Sequence, residues 1–283
     1  MRPVTLIEYE QRILAVERHI DEHLDGDLSL ECLAQVAGFS PFHFHRIFRG
    51  MTGESLLSLV RRKRLQRAAE MLNLSDRSIG EVALESGYDT PESFSRTFKA
   101  VLGINPSEYR TQTTSPFAPL VSGMVRREIA MNVELVNLPV RRVAYLRHFG
   151  PYDQVGETWG RLYALAGRMG FYPPRTQFFG CPQDDPEVTP AEQVRYDACF
   201  VVDPGFVPAD GLAIRELEGG EYAKVIHKGA YDSIGVTYAE LCGQWAPQHH
   251  RAIRAAPSIE AYVGDPRTTA PKDRITEIYL PLE

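Results

Sequence analysis

The chain of 283 residues is long enough for two domains of typical size. Its composition, with 43% hydrophobic and 24% charged residues, excludes disorder as its main state. The formal net charge of −6 argues against a protein coated all over with nucleic acid. This average hides one basic segment, residues 40–67, in which seven Lys and Arg stand against a single acidic residue.

The sequence has no feature that indicates a membrane-bound or secreted protein. Its apolar runs fall short of the roughly 18 residues of a membrane span, and Met1 is not followed by the apolar core of a signal peptide. Widely spaced cysteines without a CxxC pair are typical of reduced thiols in the cytoplasm, rather than of disulfides or a zinc site. These cysteines are Cys32, Cys181, Cys199 and Cys242.

One pair of residues has a spacing that suits a metal ion: His19 and His23 stand four residues apart. A zinc site needs a third protein ligand, and the sequence shows none beside them. We therefore expect a solvent-facing pair, without a metal or a cofactor.

Residues 5–110 predict a run of about seven short helices. Ser40-Pro41 and Thr90-Pro91 each open a helix, because Ser and Thr cap exposed backbone N–H groups and Pro is harmless at the first helical position. A longer helix is expected over residues 54–73, between these two starts.

The helical part contains an internal repeat. An Ala, a Gly with an aromatic residue and a newly capped helix make the tight turn of a helix-turn-helix unit, since small Ala lets the helices cross and Gly adopts the turn conformation. The sequence therefore predicts two such units joined by one long helix. The first copy, Ala34, Gly38 and Phe44, recurs as Ala83, Gly87 and Phe94.

The helix opened by Ser40 is the first candidate for reading DNA. Phe44 and Phe48 lie four apart and can anchor the core, while the polar residues of the helix point outward. In a major groove, Arg46 would bond guanine, His45 a base edge or a phosphate, and Phe42 a thymine methyl group.

The second recognition helix and the connecting helix supply the other DNA contacts. Basic residues on the connecting helix cannot all face one way, and some are expected to hold phosphates, which position the protein without specifying sequence. A lone basic run is usually a solvated helix surface, but two helix-turn-helix units beside it favour DNA. The candidate set is Phe42, His45, Arg46, Arg49, Arg61, Arg62, Ser93, Arg96 and Lys99.

Residues 111–124 are polar and indicate a linker, and the remainder, residues 125–283, predicts an α+β domain. Period-two stretches favour strands, and longer apolar periodicities favour two helices. Strands are expected at 131–138, 140–148, 194–202, 212–217, 221–227 and 275–280, and helices at 157–169 and 233–245.

The α+β part is also duplicated. The pattern beginning at His148 recurs at His227 with one constant offset of 79, and each copy reads as strand, Gly turn and helix. Two copies related by a pseudo-twofold axis would create a cleft between them, a frequent place for a small molecule. Aromatic residues in or near the two copies are lining candidates: Tyr152, Trp159, Phe178, Tyr231, Tyr238 and Tyr262.

The first 110 residues resemble the DNA-binding domain of the AraC family. The motifs that carry the resemblance are Ser40-Pro-Phe-His-Phe-His-Arg-Ile-Phe-Arg49 and Gly87-Tyr-Asp-Thr-Pro-Glu-Ser-Phe-Ser-Arg-Thr-Phe-Lys99. The resemblance implies that the two recognition helices enter successive major grooves, with Phe42, His45, Arg46 and Arg96 facing bases. Where many relatives have polar amides, this chain has Pro91 and Glu92, which implies that the second helix reads fewer bases or prefers cytosine.

Residues 125–283 resemble the GyrI-like (gyrase-inhibitor-like) effector-binding domain, down to the ending Thr276-Glu-Ile-Tyr-Leu-Pro281. The resemblance implies that Glu277 lies deep in a pocket that takes cationic, aromatic ligands. Ile275, Glu277 and Tyr279 would share one strand face, and a buried carboxylate beside aromatic rings attracts a lipophilic cation. The residues alone leave open an exposed edge-strand glutamate.

The combined interpretation is a multidomain chain. An all-α double helix-turn-helix DNA-binding domain at 1–110 precedes the linker, and an α+β domain of two pseudo-symmetric strand–helix–strand–strand modules fills 125–283. We expect a cytoplasmic transcriptional regulator, not an enzyme, that binds double-stranded promoter DNA and a small lipophilic or cationic aromatic effector. A monomer or weak homodimer is expected, with RNA polymerase as a further candidate partner.

Two alternatives for the second domain remain. In a GyrI-like hydrolase, Glu277 would act as a general base if burial raised its pKa. In a drug- or toxin-sequestering protein fused to the DNA-binding module, an exposed apolar patch would take the place of an enclosed cleft.

Overall fold

The computed structural model describes residues 5–111, 124–125, 131–184, 186, 189–208, 210–264 and 268–283. The predicted linker at 111–124 lies outside the described residues except at its two ends. Among the helices of the described ranges, none is long and apolar enough to cross a membrane.

The amino-terminal half is helical from residue 5 to residue 111, as predicted. The side chains of Ser40 and Thr90 accept hydrogen bonds from the backbone N–H groups of the helices they open, and Pro occupies the first turn of both. Gly38 and Gly87 have φ angles of 63° and 77°, the left-handed turn conformation that favours glycine. The helices are α1 (Leu6–Glu22), α2 (Leu30–Ala37), α3 (Pro41–Thr52), α4 (Leu56–Leu74), α5 (Ile79–Glu85), α6 (Pro91–Leu102) and α7 (Pro106–Thr111).

The carboxy-terminal half forms one antiparallel sheet of eight strands in the described ranges. Its order is β1-β6-β8-β7-β3-β4-β2-β5, which places β7 and β3 at the centre. Each module has two strands before its helix and two after it: β1 to β4 form the first module and β5 to β8 the second. The strand β1 pairs with β6, and β5 pairs with β2, so the two modules are interlocked. The strands are β1 (Val133–Leu138), β2 (Arg141–Phe149), β3 (Phe178–Pro182), β4 (Arg195–Val201), β5 (Ala213–Leu217), β6 (Gly220–Lys228), β7 (Ile259–Val263) and β8 (Ile275–Pro281).

Two helical segments pack on this sheet. The first is α8 (Val155–Arg168), and the second is α9 (Ile234–Glu240), which continues through a π-helical turn (Leu241–Trp245) into the short α10 (Ala246–Gln248). Six of the eight strands and both helices match the sequence-based elements within a few residues. The two central strands, β3 and β7, are not among the predicted ones.

The duplicated sequence pattern fastens each helix to its strand. Nδ1 of His148 lies 3.1 Å from the hydroxyl of Thr158, and Nδ1 of His227 lies 2.8 Å from that of Thr237. Nε2 of each ring lies 3.2 Å from a loop carbonyl oxygen. Because a carbonyl only accepts, Nε2 carries the proton and Nδ1 accepts from the threonine. The histidine and threonine of the repeat therefore have a structural role, since they hold each helix against its strand. We call this pair the histidine–threonine lock.

The two halves of the chain meet along α3, which packs on α9 and the π-helical turn. A Cβ atom on Gly50 of α3 would lie 2.0 Å from the carbonyl oxygen of Ala239 and 2.8 Å from Cα of Gly243. Backbones approach this closely only where side chains are missing. The side chain of Gln244 donates hydrogen bonds to the carbonyl oxygens of Gly50 and, at 2.7 Å, Val125.

This contact joins the first helix-turn-helix unit and the second module in one hydrophobic core. Ile47 and Met51 of α3 belong to the same buried cluster as Leu241 and Cys242 of the π-helical turn. The second helix-turn-helix unit has its own core, in which Phe94 and Phe98 pack on α4 and α7. The two helix-turn-helix units therefore differ in their relation to the second domain.

We expect Gly50→Ala to disturb the docking of α3, because its Cβ would overlap backbone atoms. Overpacking of this kind costs about 1–3 kcal/mol. The matched control is Gly160→Ala in α8, where nothing lies within 4 Å of the added Cβ. Helix propensity predicts that this control is neutral or up to about 1 kcal/mol more stable.

Thermal unfolding and the radius of gyration from small-angle X-ray scattering measure the two effects. Gly50→Ala should melt at a lower temperature or become less compact, whereas Gly160→Ala should not. Identical curves for Gly50→Ala and the unmodified protein would contradict the close backbone contact.

Candidate functional site

A buried carboxylate, Glu260 of β7, lies where the two modules meet. Its register partner is Gly180 of β3, and only 5% of its surface is exposed. Tyr238 of α9 donates to one carboxylate oxygen at 3.0 Å, and Tyr262 donates to the other. A Cβ on Gly180 would lie 1.8 Å from the hydroxyl oxygen of Tyr196, so the glycine leaves room for that phenol.

Aromatic side chains from both modules surround this carboxylate. The hydroxyls of Tyr196 and Tyr262 are 2.6 Å apart, and Nε1 of Trp159 donates to Tyr196 at 3.3 Å. The ring of Tyr262 has edge-to-face neighbours in Trp159 and Tyr231, with centroids 5.6 Å and 5.3 Å away. The ring of Tyr152 is a further edge-to-face neighbour of Tyr196. We call this group around Glu260 the aromatic cleft, after the cleft that the sequence predicts between the two modules.

The structure brings five of the eight predicted ligand residues into the aromatic cleft: Tyr152, Trp159, Tyr231, Tyr238 and Tyr262. Phe178 instead packs against Phe200 in the core beneath α8, with ring centroids 5.8 Å apart. The roles of all eight in ligand binding stay predictions.

Glu277 and Tyr279 lie apart from the aromatic cleft, and the side chain of Glu277 is partly exposed. Glu260 pairs with Ile278 in the sheet, and side chains alternate between faces, so Glu277 points to the opposite face. There its carboxylate lies 2.9 Å from Nζ of Lys224 and accepts a hydrogen bond of 2.6 Å from Tyr279. The carboxylate at the module interface is Glu260.

The pKa values of the two glutamates are shifted in opposite directions. Burial raises the pKa of Glu260, and hydrogen bonds from Tyr262 and Tyr238 and the charge of Arg46 offset only part of that rise. Burial also acts on Glu277, but its hydrogen bonds from Tyr279 and Lys224 prevail and leave its pKa below the ordinary value. A lowered pKa suits an ion pair and opposes the general-base role considered for Glu277.

The sequence contained a signal for Glu260. The pattern Glu-x-Tyr occurs in Glu260-Ala-Tyr262 as well as in Glu277-Ile-Tyr279, and in both the tyrosine hydroxyl donates to the glutamate two residues before it. Only the second copy stood in a predicted strand. The first was missed because β7 has only five residues.

Arg46 of α3 reaches the edge of the aromatic cleft. Its guanidinium carbon lies 3.6 Å from the ring centroid of Tyr238, and Nη1 donates to the hydroxyl of Ser258 at 3.3 Å. Only 9% of Arg46 is exposed. Tyr238 therefore contacts Arg46 through its ring and Glu260 through its hydroxyl.

The expectation that the polar residues of α3 point to solvent fails for His43 and Arg46, because this face of α3 packs on the second module. Nε2 of His43 donates to the carbonyl oxygen of Ala256 at 2.7 Å. Burial and the charge of Arg46 lower the pKa of His43 to about 3, so its ring is neutral near pH 7. Roles of α3 residues in DNA binding stay predictions.

The other predicted DNA contacts are accessible to different degrees. Arg49, Arg61, Arg96 and Lys99 are exposed, whereas Phe42, His45, Arg62 and Ser93 are partly buried. Part of the basic run is used within the protein. Three ion pairs of α4 have N–O distances of 2.6–2.8 Å: Arg62 with Glu54, Lys63 with Asp21, and Arg67 with Asp25.

We expect Gly180→Ala to displace Tyr196, because the new Cβ would overlap its hydroxyl. The change should cost about 1–3 kcal/mol of unfolding free energy. It should also change the emission of Trp159, which donates to that hydroxyl, in a Trp245→Phe background. Gly205→Ala is the control, since nothing lies within 4 Å of its added Cβ. Unchanged unfolding and emission in Gly180→Ala would contradict this packing.

Two family models match the chain. One, described as a GyrI-like small molecule binding domain, matches residues 131–283, which is more than half of the chain. The other, described as a helix-turn-helix domain, matches residues 33–112. The first therefore covers the interlocked modules, and the second covers both helix-turn-helix units.

Curated relatives agree with this division. An uncharacterized HTH-type transcriptional regulator of Bacillus subtilis, YbfP, is 39% identical over 103 residues, which cover 36% of this chain but only 35% of that protein. The regulatory protein SoxS of Salmonella typhimurium is 34% identical over 104 residues, which cover 37% of this chain and 97% of SoxS. The right origin-binding protein of Escherichia coli is 25% identical over 262 residues, which cover 86% of this chain and 87% of that protein. The chain therefore belongs to the AraC-type DNA-binding transcriptional regulators that carry a carboxy-terminal GyrI-like small-molecule-binding domain.

Proposed function

We propose that this regulator acts in the cytoplasm, binds promoter DNA through both helix-turn-helix units and senses a lipophilic cation with an aromatic surface in the aromatic cleft. The observation that carries the proposal is the buried carboxylate of Glu260 among aromatic rings. As the domain supplies two helix-turn-helix units in one chain, we propose that a monomer suffices for contact with two grooves.

The chemistry of the aromatic cleft favours a cation over a neutral molecule of the same shape. A carboxylate removed from water is costly unless a positive charge accompanies it. Aromatic faces add attraction for the same charge, because their electron-rich faces interact with cations. Tyr238 and Tyr262 hold the carboxylate of Glu260 in place, so a ligand meets an oriented acceptor.

The two recognition helices have different roles in this proposal. Arg96 and Lys99 of α6 are exposed, and we propose that Arg96 contacts base edges while Lys99 lies near the backbone. On α3 we propose that Phe42, His45 and Arg46 face bases once α3 lies in a major groove. RNA polymerase is a further proposed partner.

We expect Glu260→Gln to weaken binding of tetraphenylphosphonium, a lipophilic aromatic cation, by about tenfold or more, because the neutral amide removes the counter-charge. Glu277→Gln is the matched control and should leave binding unchanged, since that carboxylate lies on the other face of the sheet. Calorimetry or a thermal shift with ligand measures both. The neutral triphenylphosphine oxide should bind weakly to all forms.

The pH dependence provides an independent check. Since the pKa of Glu260 is raised above 4.5, affinity for the cation should increase with pH as this carboxyl ionises, and Glu260→Gln should lose the dependence. Loss of binding in Glu277→Gln with retention in Glu260→Gln would instead assign the ligand to the opposite face. Product formation from a bound ligand would favour the hydrolase alternative.

For DNA, we expect Arg96→Ala to weaken binding to a duplex selected from a random library by about 1–3 kcal/mol, with a smaller effect on a scrambled duplex. Fluorescence anisotropy at fixed salt measures both affinities. Arg168→Ala, on the exposed surface of α8, is the control. Equal losses on the two duplexes would show that Arg96 contacts only phosphates.

A further inference from the structure

Two stripes of residues on α3 overlap at Arg46. The predicted DNA-reading stripe consists of Phe42, His45, Arg46 and Arg49. The docking stripe, one residue further along, consists of His43, Arg46, Ile47 and Gly50, all of which meet the second module. Arg46 is thus both the proposed guanine contact and the charged residue that α3 inserts at the aromatic cleft.

In the docked arrangement Arg46 is withdrawn from a major groove, since only 9% of it is exposed, whereas Arg49 on the same helix remains exposed. That groove is about 12 Å wide, and one helix with its side chains is about 10–12 Å across, so a single helix fills it. In the docked state the π-helical turn lies directly against α3, and a Cβ on Gly243 would be 2.5 Å from Cα of Gly50. The wall of the groove would have to occupy the same space. The exposed Arg96 and Lys99 of α6 show that the second unit is not covered in this way.

Arg46 makes the same kinds of interaction with the aromatic cleft that we propose for the effector. Its planar cation lies over the ring of Tyr238, and Ser258 accepts one of its N–H groups. Its charge and the carboxylate of Glu260 stabilise one another, since Arg46 lowers the pKa of Glu260 and Glu260 raises that of Arg46. A buried guanidinium needs such a counter-charge as much as the carboxylate does.

We propose that Arg46 is an internal ligand of the aromatic cleft and that a cationic effector competes with it, which releases α3 for DNA. The proposal rests on the proposed function, namely that the aromatic cleft takes a cation and that α3 reads DNA. An effector cation beside Glu260 and Tyr238 takes the counter-charge from Arg46 and repels its guanidinium. Because coupling between two binding events is reciprocal, docking weakens effector binding by the same factor as the effector weakens docking.

The consequence for DNA is a change in the number of grooves that are read. Without effector, α6 is accessible and Arg46 of α3 is buried, so a duplex is read mainly through one unit. With effector, both units contact successive major grooves. The effector therefore acts as an inducer of specific DNA binding, and the residue that senses it also reads the operator.

The test is a comparison of tetraphenylphosphonium affinity in full-length variants, measured by calorimetry. Arg46→Ala should bind the cation at least about tenfold more tightly than the unmodified chain, because the competitor is gone. Arg46→Met keeps the apolar stem and replaces Arg46→Ala if the latter does not fold. Arg168→Ala removes a remote arginine and should leave the affinity unchanged.

A second measurement follows docking itself. The radius of gyration should rise on addition of the cation to the unmodified chain, and should be large without it in the Arg46 variants. On a selected duplex, hydroxyl-radical footprints of the unmodified chain should extend from one major groove to two when the cation is added.

The outcomes separate the two levels of the proposal. If the Arg46 variants bind the cation as the unmodified chain does, or more weakly, competition is overturned, while loss of binding in Glu260→Gln still supports the proposed function. If no form binds the cation, both are overturned. Tighter binding in the Arg46 variants together with a footprint that does not change would retain competition at the cleft and overturn its control of DNA binding.

Discussion

The structure depends on a buried charge that cannot remain alone. Glu260 lies buried where the two modules meet, and Arg46, whose charge acts on its carboxylate, is contributed by the other domain. The free energy of an unpaired buried carboxylate is high, so the site is stable either with a bound cation, with a proton, or with Arg46 beside Tyr238. In the function proposed above, the need for a counter-charge links effector binding to the position of α3, because the carboxylate of Glu260 stabilises either the effector cation or Arg46.

The close contact of two glycines gives this link its geometry. Gly50 and Gly243 allow α3 and the π-helical turn to touch through their backbones, which brings Arg46 within 3.6 Å of the Tyr238 ring. In the part of the chain that the structure describes, α8 of module one has no equivalent packing partner in the amino-terminal half. At the positions 79 residues before Gly243 and Gln244 it has Ala164 and Leu165, so the duplication is broken where α3 docks. The histidine–threonine lock, in contrast, is the same in both modules.

The sequence predicted those parts of the fold that depend on local physics. Caps such as Ser40 and turn glycines such as Gly38 determine helix ends within a few residues, and the repeated motifs indicate both duplications. The strands β3 and β7 escaped prediction because each is short, and β3 contains Gly180 and Pro182, residue types that are unfavourable in strands. Because β7 was not predicted, the role of Glu260 was missed as well. The register between β7 and β8 determines which face of the sheet Glu260 and Glu277 occupy.

The distribution of charge shows the same limit of prediction from sequence. Residues 1–39 are acidic and residues 40–67 are basic, and the simple interpretation assigns the basic segment to DNA. In the structure, Asp21 and Asp25 at the end of α1 and in the turn that follows pair with Lys63 and Arg67 of α4, so part of that charge is neutralised within the domain. Exposed pairs of this kind contribute only about 0–1 kcal/mol each, and their main effect is on the field that DNA meets. Arg46 is the opposite case: a single buried cation counts little in the net charge, yet it joins the two domains by packing on Tyr238. Charge counts along a sequence cannot distinguish these roles, because the difference lies in which domain covers the side chain.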